Sequence, residues 1–481
     1  MRFPVAQFAM ISKTINAVSP MRRKLFALVS PSLVCLAVAL GLAAVTAQAQ
    51  PAKPMIDKIA AEISAERIEK TIRKLVSFGT RNTLSDTVSA TRGIGAARRW
   101  IKAELEACAK ANGGQLQVTF DDNLAPVSAR IPTPTHVVNV VATLPGSQPE
   151  SRDRLYVVSG HYDSMADSVI DATSDAPGAN DDASGTAAVM EMACVMSKYK
   201  FDATLIFMAV AGEEQGLIGS TFWAKKAKAQ GLNVAAMFTN DIIGSSKGAD
   251  GGVINNRVRL FAEGVPPPLK EPTDATVTLL RSGGENDFPT RQLARFIKEA
   301  AERHIAGMTV DIVYRRDRYL RGGDHSPFLD AGYAAVRFTE PVEDYRHQHK
   351  DVRIENGVQI GDLPEFVDFD YVAKVTRVNA AALASLALAP ATPAEIQMET
   401  TSLENDSTIR WKANLEPDLA GYRIVWRETN APYWQQSRDV GNVTRATIKG
   451  VSKDNVVFGV QALDKDGNAS VAGYPLPMRT R

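Results

Sequence analysis

Residues 203–230, ATLIFMAVAGEEQGLIGSTFWAKKAKAQ, read in turn as an apolar strand, a small-residue turn and a helix. Two glutamates, Glu213 and Glu214, stand side by side where the strand gives out. Adjacent side chains point to opposite faces of a strand and about 100° apart on a helix. If both acids serve one site, they lie at the strand's end, where the backbone turns.

Around this stretch the same texture repeats. THVVNVVATL, RLYVVSGHYD, VAAMFTNDII and YAAVRFTE read as further strands, with GTAAVMEMACVMSKY as a helix between two of them. Strands alternating with helices argue for an α/β sheet with helices on both faces. In such sheets ligands collect beyond the carboxyl ends of the strands, and the polar clusters of this chain fall there. Upstream, residues 57–112 carry helical periodicity, notably AERIEKTIRKLVSF and AARRWIKAELEACAKA. Downstream of an apolar helix around 366–388, APATPAE (389–395) reads as a linker. The tail then turns to strand-like runs, STIRWKAN, GYRIVWRE, RATIKGV and NVVFGVQALD, separated by turns. Trp411, GYRIVWR and FGVQALDKDGNAS resemble a fibronectin type III sandwich, an all-β unit. The expected division is a signal peptide over 1–49, an α/β domain over 50–390 and a β-sandwich over 391–481.

The composition, 45% hydrophobic and 23% charged, is that of an ordinary globular protein. The first 49 residues hold Arg2, Lys13, Arg22, Arg23 and Lys24 and no acid. Without them the chain carries a net charge of about −4, which gives no reason to expect a nucleic-acid partner. MRRK, a long apolar stretch and Ala47-Gln48-Ala49 read as an export signal with a cleavage site. An uncleaved membrane anchor is the alternative, since about 20 apolar residues can span a bilayer; Pro31 and the small-x-small site favour cleavage. Val34 before Cys35 argues against a lipoprotein. The expected location is therefore periplasmic or secreted, with no stable anchor after cleavage. Cys108 and Cys194 remain, able to pair in an oxidising compartment or to stay as buried thiols.

The chemistry gathers at strand ends. His161 closes RLYVVSG, and Asp163 two residues on can hold its imidazole, as partners of metal-bound histidines do. GANDDASG (178–185) places Asp181 and Asp182 before a helix, where they serve either as an N-cap signal or as site ligands. Asp241 closes VAAMFTND, and DYRHQHKD carries His347, His349 and Asp351. Each acid alone could be a cap or a solvated loop residue. Together they supply imidazoles and carboxylates without thiolates, a donor set that suits zinc in a catalytic site.

HYDS, GANDDASG, GEEQGLIGS, the Asp after the next strand and a late H-x-x-x-D, in this order, resemble the M28 zinc metallopeptidases, chiefly bacterial and fungal aminopeptidases. The resemblance spans roughly residues 60–388 and implies a mixed, mainly parallel sheet of the phosphorylase/hydrolase-like type. It implies two zinc ions, with His161 and Asp241 as terminal ligands of one, Glu214 and His347 of the other, and Asp181 bridging. Asp163 matches the acid behind the histidine and Glu213 the general base. His347 is preferred to His349 because only His347 has an acid four residues later. Zinc-activated water would attack the carbonyl of a peptide substrate, with Glu213 moving the proton to the leaving amine. RGGDHSPF resembles the family's S-D-H-x-x-F segment with Gly323 in place of Ser, and Asp324 and His325 read as pocket wall. Arg346 stands where members often have Tyr, and Tyr345 is one residue further away. His136 and His304 read as structural or exposed. The expected function is an exported aminopeptidase. A carboxypeptidase, a glutaminyl cyclase of the same fold and an inactive binding or adhesion protein are the alternatives.

Overall fold

The computed structural model describes residues 53–267 and 271–478; the signal-peptide reading lies outside them. Three helices, α1 (Pro54–Glu62), α2 (Ala65–Val76) and α3 (Gly93–Ala111), precede the sheet. Ser64 caps α2 by accepting from the Arg67 amide. The helical stretch read over 57–112 is interrupted between α2 and α3 by a loop centred on Arg81. That guanidinium is fully buried and donates to the carbonyls of Leu75, Tyr162, Pro177 and Gly178, tying the loop to the strand end that carries His161.

The chain continues through β1 (Gln117–Ala125), β2 (Thr135–Leu144), β3 (Arg154–His161), α4 (Ala183–Met196), β4 (Thr204–Val210), α5 (Ile218–Ala229) and β5 (Asn233–Asn240). It then runs through β6 (Arg257–Ala262), α6 (Asp274–Arg281), α7 (Pro289–His304), β7 (Thr309–Val313), α8 (His325–Asp330) and β8 (Ala335–Thr339). A short hairpin, β9 (Arg353–Glu355) and β10 (Val358–Ile360), leads to α9 (Phe369–Leu388).

The eight strands form one mixed sheet in the order β1-β2-β4-β3-β5-β8-β6-β7. Its centre, β4-β3-β5-β8, is parallel, while β2 runs antiparallel to β4 and β6 antiparallel to β8. Buried at every position, β4 is apolar from Leu205 to its end. One face is covered by a core in which α1, α2, α3, α4, α7 and α9 take part. The other is covered by α5 and α8, where Trp223 stacks on Phe328 at 5.3 Å. The open cysteine question resolves to a disulfide, Cys108–Cys194, tying α3 to α4.

After α9 come β11 (Ala394–Glu399), β12 (Ser407–Lys412), β13 (Leu419–Glu428), β14 (Gln436–Gly441), β15 (Arg445–Ile448), β16 (Val456–Asp464) and β17 (Leu476–Met478). They make a four-stranded and a three-stranded sheet, β15-β12-β11-β17 and β14-β13-β16. Ile409 and Trp411 from the first pack with Tyr422, Ile424, Phe458 and Val460 from the second. Buried ion pairs join this β unit to the α/β part: Arg427 to Asp287 at 2.7 Å and Arg154 to Glu416 at 3.2 Å.

Candidate metal centre

Parallel strands β3, β4 and β5 end at one edge, each followed by residues of the site: His161 closes β3, Glu213 and Glu214 follow β4, and Asp241 follows β5. After β4 the chain turns at Gly212, whose φ of +72° is a left-handed conformation that glycine adopts without strain. The turn is fastened by Asp163, a fully buried carboxylate that accepts from the amides of Glu213 at 3.4 Å and Glu214 at 3.2 Å. Asp163 also stands 3.5 Å from His161 Nδ1, so one acid orients the imidazole and the double-glutamate turn together.

The paired aspartates divide their work. Asp182 is the N-cap of α4, accepting from the Gly185 amide at 2.9 Å, and it takes the His161 amide at 3.0 Å. Asp181 instead turns into the cluster: its Oδ1 lies 3.1 Å from His161 Nε2. The first turn of α4 comes this close because Gly185 has no side chain; a Cβ there would sit 2.1 Å from the Asn240 carbonyl oxygen. Asp362 anchors the loop before α4 by accepting from the amides of Asn180 and Asp181, the latter at 2.7 Å.

Seven residues were expected at the site, and the structure gathers six of them. His161, Asp181 and Glu214 offer atoms within 4.8 Å of one another, as do His161, Glu213 and Asp241, with Asp163 behind. His347 departs from its expected place. Its ring stacks on Phe366 at 3.7 Å and its Nε2 stands 3.6 Å from Asp344. His349 takes the position next to the carboxylates, with Nε2 2.9 Å from Asp181 Oδ2 and 3.2 Å from Glu214 Oε2. The reason is local: the residues run through a loop in which His349 has φ +55°, and Asp351 pairs with Arg353 at 3.2 Å instead of supporting an imidazole.

The protein's own charges leave this cluster acidic. Burial, reinforced by Asp241 and Glu214, pushes Glu213 well above the usual carboxylate range, and burial with Asp181 raises Glu214. Burial alone would lower His161, but Asp163 and Asp181 raise it well above its ordinary value. Against the same opposition from burial, Glu214 and Asp181 push His349 up to about 11. Every one of these shifts draws positive charge inward, and His161 Nε2 and Glu214 Oε1 are buried without a hydrogen-bond partner. A set of oxygen and nitrogen donors arranged in this way fits a divalent cation.

Several residues near the site carried no sequence signal of the kind that found the ligands. Arg337, fully buried on β8, stands 3.0 Å from Asp241 Oδ1 and 2.9 Å from Asp317 Oδ2. A charge inside the apolar run AAVRFT was the signal available for it. Gly323 leaves room for it, since a Cβ there would come within 3.4 Å of the Arg337 side chain. Asp324 and His325 are both fully buried, and His325 Nε2 lies 2.8 Å from the Arg316 carbonyl, in keeping with a supporting wall. His136 is exposed beside Asp122, and buried His304 pairs with Asp57 of α1 at 2.7 Å, structural roles as expected.

The family model for Peptidase family M28 matches residues 139–356. A probable zinc metalloprotease of Pyrenophora teres f. teres is 49% identical over 428 residues, covering 89% of this chain and 88% of the relative. One of Leptosphaeria maculans is 49% identical over 422 residues, covering 88% of this chain and 97% of its own. The solved structure of LapA from Legionella pneumophila shares the α/β fold at 19% identity and a TM-score of 0.50, covering 69% of this chain and 77% of that one. Similarity over nearly the whole length of these relatives, together with the strand-end cluster, makes the chain an enzyme of peptidase family M28.

Proposed function

We propose that the chain is an exported dizinc aminopeptidase that removes N-terminal residues from peptides. The observation that carries the dinuclear reading is Asp181, whose two oxygens face different imidazoles, His161 at 3.1 Å and His349 at 2.9 Å. A carboxylate bridging two ions about 3.5–4 Å apart needs that disposition. His161 and Asp241 would hold one ion, and His349 and Glu214 the other. Bound zinc supplies Lewis acidity and lowers the pKa of a water molecule. The chain's own residues do the rest. Asp163 fixes the His161 ring and the turn, and half-buried Glu213 is left to take a proton from the attacking water and pass it to the leaving amine.

Export is supported by the signal-like N-terminus and by the Cys108–Cys194 disulfide, a bond that persists in oxidising compartments. Among the described residues no helix is long and apolar enough to cross a membrane. The four-plus-three strand arrangement favours reading the C-terminal unit as fibronectin type III-like.

The test combines metal analysis of the purified chain with tripeptides carrying free or acetylated amino termini. Two zinc ions per chain and loss of cleavage on acetylation are expected. Efficient cleavage of the acetylated peptides would assign a carboxypeptidase. A single zinc, with ring closure of N-terminal glutamine in place of hydrolysis, would assign a glutaminyl cyclase.

A further inference from the structure

Above the carboxylate cluster opens a cavity of about 360 Å³, within the range of small-ligand pockets. Its floor is Asp181, Glu213, Glu214 and Asp241, and its walls include Met165, Leu217 and Leu320. Three arginines, Arg130, Arg318 and Arg321, line it as well, with His349 among the remaining residues. On the dizinc reading proposed above, the ions offset the charge of the four floor carboxylates, and the field met by a substrate is set by the arginines.

The three are not equivalent. Arg318 is committed, with Nη1 donating to Glu343 at 2.7 Å and Nε 3.4 Å from Asp317. Exposed Arg130, in the loop between β1 and β2, uses Nη1 to donate to the Glu214 carbonyl at 2.8 Å, and its other side-chain donors have no partner among the described residues. Exposed Arg321 has no side-chain partner among the described residues. A guanidinium held on the backbone of Glu214 and a second one lining the same cavity offer two forks for a carboxylate.

We infer that Arg130 and Arg321 form a carboxylate-recognising rim beside the metal centre, so that the preferred substrates are short peptides carrying a carboxylate close to the scissile bond. The inference rests on the peptidase reading and deepens it. The carboxylate has two possible sources, the free C-terminus of a di- or tripeptide and an aspartate or glutamate side chain. Apolar Met165, Leu217 and Leu320 leave room for an aliphatic side chain next to it.

The experiment uses the full zinc-loaded chain and three matched peptides with a leucine N-terminus: one with a free C-terminus, its C-terminal amide, and an amide with glutamate beside the scissile bond. Charge-assisted hydrogen bonds of this kind give roughly a tenfold preference in kcat/KM. Preference for the free acid over the plain amide identifies the terminal carboxylate, and preference for the glutamate amide identifies the side chain. Either preference is expected to arise in KM, to collapse toward unity in Arg321→Gln and in Arg130→Gln, and to fall only in part in Arg321→Lys, which keeps the charge and loses the fork. Equal rates on all three peptides would overturn the rim while leaving the peptidase reading intact. A preference unchanged in both glutamine variants would also overturn it. Absence of cleavage of every free peptide would instead overturn the function on which it rests.

Discussion

His347 and His349 stand two residues apart, and only His349 meets the carboxylates, 2.9 Å from Asp181. On the proposed dizinc reading, His349→Ala should therefore lose one of two zinc ions, read by metal analysis of the purified protein, while His347→Ala keeps both. The reverse pattern would return the ligand to His347. Glu213 calls for the opposite signature. Glu213→Gln should retain the full metal content and lose turnover by a factor of roughly 10²–10⁴, the usual worth of a positioned proton carrier; near-parental rates would remove it from the role. The contrast between the late histidine and the other ligands explains what the sequence made legible. His161, Glu213, Glu214 and Asp241 lie at the ends of apolar strands, where a two-residue period and a common sheet edge fix their placement. The late histidine lies in a loop with no period, and a rule that counts residues to the next acid chose His347. Asp351 is occupied by Arg353, and a left-handed backbone at His349 turns that residue inward.

Among the elements, α4 bears most on the centre, and it is held at both ends by different means. Its first turn packs on β3 through facing glycines: a Cβ on Gly160 would lie 2.3 Å from the Gly185 carbonyl carbon. Its last turn is tied to α3 by Cys108–Cys194, which closes a loop of 86 residues. Loop-closure entropy for such a length is about 4.5 kcal/mol, so in a chain of this size a Cys108→Ser/Cys194→Ser protein should unfold roughly 5 °C lower. Its zinc affinity should match the parent's, because Asp181, the proposed bridging ligand, sits at the other end of the helix. Gly185→Ala should do the converse: the first turn must move off the Asn240 carbonyl, taking Asp181 with it, and zinc affinity measured by competition with a chelator should fall at least tenfold. If the disulfide variant loses zinc as readily as Gly185→Ala, the two ends of α4 are not independent. At this scale the central strands were readable because both faces are buried and the runs are continuously apolar. The flanking β1 and β6 were not. QVTFDDNLA on β1 is mostly exposed or half-buried, and RVRLFA on β6 has arginines interleaved with its apolar residues, so neither shows the hydrophobic run that marks a buried strand.

For the molecule as a whole, the β-sandwich looks in sequence like a detachable tail behind a proline-containing linker, yet its contact with the α/β part is charged and buried. Arg427 of β13 is 2% exposed and Asp287, just before α7, 3% exposed, and they meet at 2.7 Å and 2.9 Å through one guanidinium nitrogen. Arg154 at the start of β3 pairs with Glu416 and donates to the Ala389 carbonyl at 2.6 Å, beside the linker. Arg295 on α7 donates across to the Pro432 carbonyl at 3.0 Å. Removing one member of a buried pair leaves the other charge desolvated and unpaired, at a cost of about 3–5 kcal/mol. Asp287 keeps the Gln292 amide and the buried Arg295, 3.7 Å away, so Arg427→Met should destabilise the protein by less than that amount in denaturant unfolding. Adding Asp287→Asn should not recover the loss, because it leaves the buried Arg295 guanidinium without its acid. Truncation after Leu388 takes Arg427 from Asp287 and Glu416 from Arg154 together and should yield chains that fail to fold or aggregate. A truncated chain that is soluble, binds zinc and cleaves peptides at the parental rate would show instead that the α/β part tolerates the loss of both pairs and that the sandwich is an appendage.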